Sequence, residues 1–379
     1  MQDTKRVQYP PFVLRPGLVA GVLLAVLALV MAACAPATTV APTLAVAPSA
    51  VPSPSAAATT APTAMAAANP TAGATILVPS PKAYVGIYND NVVAVLDTAS
   101  QRVLSTIPVP AGPHGLVMTP DGRSVYVSSD GDSKVSLIDT ATDTVVKTIE
   151  VGKGPHGLAI NPDGRLVLVG VFEAGQVAFI DTASNTVVAH IPVANPHNIA
   201  ISPDGQMAYV ASQKAGAPAL VVLKLADRTQ TTTLPLDKAP RALNFSPDGK
   251  LLYFTQVNID AVQVLDPATN KIATQIPVGA SPHHPLFTPD GLMALVVSQG
   301  PGELDILNPA ANAVEKTVTV GKKPHWIALI PNAGVAWVTN EGSNGISVVD
   351  LKTGTVTATI AVGSAPRKIV VQPVVPISG

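Results

Sequence analysis

The sequence predicts an all-β chain, a seven-bladed β-propeller of four-stranded blades closed by its C-terminal strand, behind a disordered N-terminal stalk. Three observations predict it. A unit of about 42 residues recurs from Pro81 onward, opened by Pro113-His114, Pro155-His156, Pro196-His197, Pro240-Arg241, Pro282-His283, Pro324-His325 and Pro366-Arg367, with prolines 42, 41, 44, 42, 42 and 42 residues apart. Each unit holds four short β-branched runs separated by turn residues, and such a period with strand content reads as one propeller blade per repeat. Pro-Asp-Gly stands at 120–122, 162–164, 203–205, 247–249 and 289–291, where Pro presets φ, Asp can bond nearby backbone and Gly takes a positive φ.

The first element in the chain is a leader. Lys5, Arg6 and Arg15 precede an apolar run from Leu18 to Ala33 that ends in Met31-Ala32-Ala33-Cys34. A basic region, a short apolar region and small residues before a cut mark a secretory signal. The run of 16 residues is short against the roughly 20 a spanning helix needs. The site resembles a bacterial lipobox, with Met31 where Leu is usual, and the resemblance implies lipidation of Cys34. That cysteine is the only one, which excludes an internal disulfide and a thiol nucleophile in the body. Residues 1–33 are thus expected to be a lipoprotein signal peptide, with the body extracytoplasmic and lipid-anchored to a bacterial cell membrane.

Residues 34–74 come next, nearly all Ala, Pro, Thr, Val and Ser, with no charge between Cys34 and Lys82. Such a composition, without a periodic apolar face, predicts an extended disordered linker. Cleavage would remove three of 23 basic and one of 24 acidic residues, leaving 20 against 23. That balance gives no footprint for nucleic acid.

Residues 75–379 are the expected propeller. Its third repeat carries Pro162-Asp163-Gly164 between strands A and B, and Asp181-Thr182-Ala183-Ser184-Asn185-Thr186 between C and D. The latter turn is echoed from Asp97, Asp139, Asp266, Asn308 and Asp350, with Leu225 where the fourth unit is expected to carry its Asp. These carboxylates read as turn caps rather than a catalytic set. The tetrads Tyr126-Val127-Ser128-Ser129, Tyr209-Val210-Ala211-Ser212, Tyr253-Phe254-Thr255-Gln256 and Trp337-Val338-Thr339-Asn340 make the body resemble the YVTN-repeat β-propellers over 82–373. No Trp-Asp dipeptide or Gly-Gly pair points to WD40 or kelch blades. The first unit lacks strand A, and Pro366–Pro373 is a strand A without the rest, so the C-terminus is expected to complete the first blade. Residues 75–78 compete for that slot.

The pattern of crossings puts the D–A connections and B–C loops on one face. One mouth of the channel should therefore carry His114, His156, His197, Arg241, His283, His325 and Arg367, with His284 next to His283 and only His190 elsewhere. Asp90, Asp130, Asp132, Glu173, Asp260, Glu303 and Glu341 lie on the B–C loops of that face, where variable loops carry specificity. Three readings stay open. In the first, each His serves its own blade's backbone; in the second, the ring, with Glu173 and Glu341, binds an anionic or polar ligand through Arg and protonable His; in the third, His114, His156, His197, His283, His284 and His325 hold copper or zinc. Related propeller scaffolds carry copper in nitrous-oxide reductases and haem in nitrite reductases, although no Cys-x-x-Cys-His motif occurs here.

No Gly-x-Ser-x-Gly, Walker or His-Glu-x-x-His motif is present, so known hydrolase and nucleotide chemistries find no support. The expected function is a binding scaffold for an envelope protein, polymer or small ligand at the His/Arg face. The alternatives are a copper- or zinc-dependent lyase, lactonase or oxidoreductase, using pairs such as His325 with Glu341 or His156 with Glu173, and a passive envelope or adhesion protein.

Overall fold

Twenty-eight strands between Lys82 and Val371 sort into seven antiparallel sheets of four in the computed structural model, which describes residues 80–374. The leader, Cys34, the linker and residues 75–78 lie outside the described residues. The third blade shows how the repeat folds. Its strands are Pro155–Ile160, Leu166–Val171, Gln176–Asp181 and Thr186–Pro192. In the A–B turn Gly164 takes φ 73° while Asp163 accepts the Arg165 N–H at 3.0 Å. In the C–D turn Asp181 accepts the Ser184 N–H at 2.8 Å, and Asn185 takes φ 51°. The Asp residues are caps, as their position suggested. In the fourth blade the cap position is Lys224, paired with Thr229; Leu225 sits one residue further on.

Strands B and C are buried on both faces, whereas strand D lies at the rim, exposed or half-buried except for one buried residue, Ile191 in this blade. Every blade has a bulge in its C–D pairing, such as Phe179/Ile180 and Val348/Val349, and bulges increase strand twist. Strands A of neighbouring blades touch around the axis. The ring closes as expected: Pro366–Val371 is strand A of the first blade, with Tyr84 opposite Val370 and Val85 opposite Ile369. Gln372 N–H donates to the Lys82 carbonyl at 2.8 Å just beyond it. Closure of this kind removes two free strand edges.

The strand B tetrad joins blades at both of its ends. Its aromatic hydroxyl reaches the left-handed residue of the next blade's C–D turn: Tyr84 donates to Asp143 and Tyr209 to Asn270, both at 2.5 Å, and Tyr126 donates to Asn185. Its third residue donates to the next blade's strand A. Thr255 reaches the His283 carbonyl at 2.6 Å, Thr339 the Arg367 carbonyl at 2.7 Å, and Ser128 the His156 carbonyl.

Candidate functional site

The ring residues owe their position to how each chain segment enters strand A. A left-handed residue stands immediately before the proline in most blades: Gly112, Gly154, Asn195, Ser281, Lys323 and Ala365. Proline then takes the first strand position, where its missing N–H costs no ladder bond. The next residues bulge out of register with strand B, between Pro155 and Leu158 in the third blade and at the same place in its neighbours. Bulges re-aim side chains, and here they gather imidazoles at the axis.

Five of the predicted histidines form one cluster. Ring centroids lie 4.4 Å apart for His283 and His325, 5.6 Å for His325 and His114, 3.6 Å for His114 and His156, and 4.2 Å for His156 and His197. His114, His283 and His325 are buried, and His156 and His197 half-buried. The backbone bonds go to the following blade, not to the residue's own blade. His156 Nδ1 donates to the His197 carbonyl at 2.9 Å, His197 Nδ1 to the Arg241 carbonyl at 3.0 Å and His283 Nδ1 to the His325 carbonyl at 3.1 Å. A carbonyl only accepts, so each of these Nδ1 atoms carries the proton and leaves the Nε2 lone pair as a ligand. Burial, aided by neighbouring imidazoles and Arg367, holds His114, His156, His283 and His325 well below the usual imidazole range. His197 is lowered to about 4, chiefly by burial.

The arginines and glutamates of this face are each held by partners other than the imidazoles. Arg367 donates to Glu341 at 3.2 Å and stacks 3.9 Å above the Tyr88 ring. Arg241 donates to Ser281 Oγ at 3.1 Å and Gln299 Oε1 at 3.2 Å. Glu173 pairs with Lys153 at 2.8 Å on the surface. Neither His156 with Glu173 nor His325 with Glu341 is hydrogen-bonded; Lys153 and Arg367 claim the carboxylates instead. His284 faces away from the cluster, stacked on Trp326 at 3.6 Å. His190 is exposed on its outer strand.

The acid that does reach the imidazoles is Asp130. Its carboxylate and one nitrogen each of His114 and His156 lie within 4.8 Å of one another. Asp130 occupies the space over Gly112, where a Cβ would collide with it, beside Tyr88 and Arg367. Burial pushes its carboxyl up, opposed by the Tyr88 hydroxyl and Arg367. Asp130 was one of seven loop acids in the sequence, and its neighbour Tyr88 comes from another blade; nothing in the linear spacing singles it out.

Among solved structures the chain resembles Kuenenia stuttgartiensis hydrazine synthase, at TM-score 0.66 and 19% identity over 75% of this chain and 99% of that one. Pseudomonas aeruginosa periplasmic gluconolactonase matches at TM-score 0.65 and 19% identity, covering 78% of this chain and 99% of that one. Dihydro-heme d1 dehydrogenase NirN, in complex with DHE, matches at TM-score 0.59 and 20% identity, covering 75% and 64%. At these identities the likeness is one of fold. No curated protein matches the sequence. The family described as Cytochrome D1 heme domain matches residues 84–373, so this seven-bladed propeller with its histidine-filled axis belongs to the cytochrome D1 heme domain family.

Proposed function

We propose that the protein is a lipid-anchored, extracytoplasmic binding propeller whose loop-face mouth takes a copper or zinc ion through His114, His156 and Asp130. The observation that carries this reading is the convergence of those three donors within 4.8 Å, with the His156 ring held by the His197 carbonyl. Two neutral imidazoles and a carboxylate suit a borderline divalent metal and leave a fourth position open for a bound molecule. A ligating histidine that gives its other N–H to a backbone carbonyl is the usual supporting arrangement.

The haem implied by the family description fits these residues poorly. Adjacent rings in contact, at 3.6 and 4.2 Å between centroids, leave no slot among them for a planar macrocycle, whereas a single ion needs only their lone pairs. The anchor rests on the leader and on Cys34 in its lipobox-like setting. A linker of this composition between the anchor and the propeller would let the body reach an envelope partner.

Elemental analysis of the full chain, purified without chelator from the membrane fraction, tests this. Wild type is expected to carry close to one equivalent of copper or zinc, and Asp130→Asn with His156→Ala to lose it. Cys34→Ser should keep the metal but leave the membrane fraction. A metal-free wild type after incubation with both ions would sink the reading.

A further inference from the structure

Below the histidine mouth the channel opens toward the hairpin face as a cavity of about 600 Å³, within the range of small-molecule pockets. Most of its wall is apolar, from the strands A of all the blades, and no acidic side chain lines it. Its polar groups are Asn198, Asn244, Ser246, His284 and Lys368.

Four of these are left as donors by their other bonds. Asn198 Oδ1 accepts the Ile199 N–H at 2.9 Å, and Asn244 Oδ1 the Phe287 N–H at 3.4 Å, so each amide keeps its NH₂ group. His284 Nδ1 accepts the Ile327 N–H at 3.3 Å, which puts the imidazole proton on Nε2. Lys368 crosses the channel from the first blade to the third, where Nζ donates to the Leu158 carbonyl at 3.1 Å. It lies 4.6 Å from the centroid of Trp326, which stacks on His284. Among the described residues Lys368 makes no ion pair. A buried amine without a counter-ion is costly, and a lining rich in donors and without an acidic side chain is complementary to an acceptor with negative charge.

We propose that this cavity binds a small carboxylate with an apolar body, its oxygens held by Lys368 Nζ and the amides of Asn198 and Asn244. The apolar wall takes the body of the ligand, and the missing anionic partner of Lys368 is the ligand's carboxylate. The site is separate from the metal-binding mouth and does not depend on that reading.

Calorimetric titration of the full chain with hexanoate and with hexanamide tests the assignment. Hydrogen bonds to charged groups predict hexanoate binding about tenfold or more tighter than the amide. Lys368→Met should remove the preference. Asn244→Asp, nearly isosteric and still able to accept the Phe287 N–H, should weaken hexanoate by about tenfold or more; it tests the idea even if the lysine variant misfolds. Equal binding of acid and amide, or no binding of hexanoate, overturns the proposal. So does loss of hexanoate binding in His156→Ala, which would place the carboxylate on the metal instead.

Discussion

The buried imidazoles tie the stability of the fold to pH through single residues. His114, His156, His283, His284 and His325 all titrate well below the ordinary value, with burial the first cause. Their folded pKa values are depressed, so the unfolded chain binds more protons below about pH 6.5. Their stabilisation is present above that pH and lost as the pH falls. Each one that titrates contributes a slope of about 1.4 kcal/mol per pH unit. Urea denaturation between pH 7 and 5 should therefore show steep acid destabilisation, shallower by about one proton's worth in His284→Phe, which keeps the ring stacked on Trp326. An unchanged slope in that variant would mean His284 is already protonated in the fold. Lys368 acts on the alkaline side. Burial lowers it to about 7, so its amine favours the fold increasingly as the pH rises from 7 toward 10.

At the scale of elements, strand B and the following C–D turn are chosen together. Where strand B carries tyrosine, as at Tyr84, Tyr126, Tyr209 and Tyr253, the left-handed residue of the next blade's turn is Asp143, Asn185, Asn270 or Asn312. Where it carries Leu168, Leu295 or Trp337, that residue is Arg228, Gly354 or Gln101. Asn and Asp tolerate the left-handed turn and offer an acceptor to the phenol. The hydrogen bond accounts for the first tetrad residue at Tyr126 and Tyr209, which the sequence alone presents only as a recurring aromatic. Tyr126→Phe is expected to cost about 1 kcal/mol, with strong coupling to Asn185→Ala in a double-mutant cycle. Tyr253→Phe should be neutral, because its buried hydroxyl has no partner among the described residues. Equal losses in the two phenylalanine variants would refute the inter-blade role.

The whole molecule depends on the pairing of its two ends. Pro366–Val371 meets Lys82–Ile87 across nearly the full chain, and Lys368 reaches from that last strand to the third blade. Truncation after Ala365 would expose the edge of the first blade and the flank of its neighbours, and remove the crossbar of the channel. The expected product is insoluble or melts without cooperativity over a broad range; a soluble truncation with one sharp calorimetric transition would show that closure is dispensable. Such a repeat body otherwise draws its stability from nearest-neighbour interfaces.

Blade number, strand order within the repeats, turn chemistry and the presence of histidines at one mouth follow from the sequence by itself, because each depends on local periodicity and on where a proline or glycine can sit. The closure of the first blade was legible in part: a strand A was missing at one end and spare at the other, but residues 75–78 offered a second candidate for the slot, and the pairing of Pro366–Val371 with Lys82–Ile87 assigns it. The seven ring positions read as equivalent in the repeat, and only the folded ring separates them. It joins His114 and His156 to Asp130, ties Arg367 to Glu341 and Glu173 to Lys153, and turns His284 toward Trp326. The cavity under Lys368 was invisible for a related reason. Its walls come from every blade, and which groups remain free as donors depends on hydrogen bonds made between blades, which residue spacing along one chain does not encode.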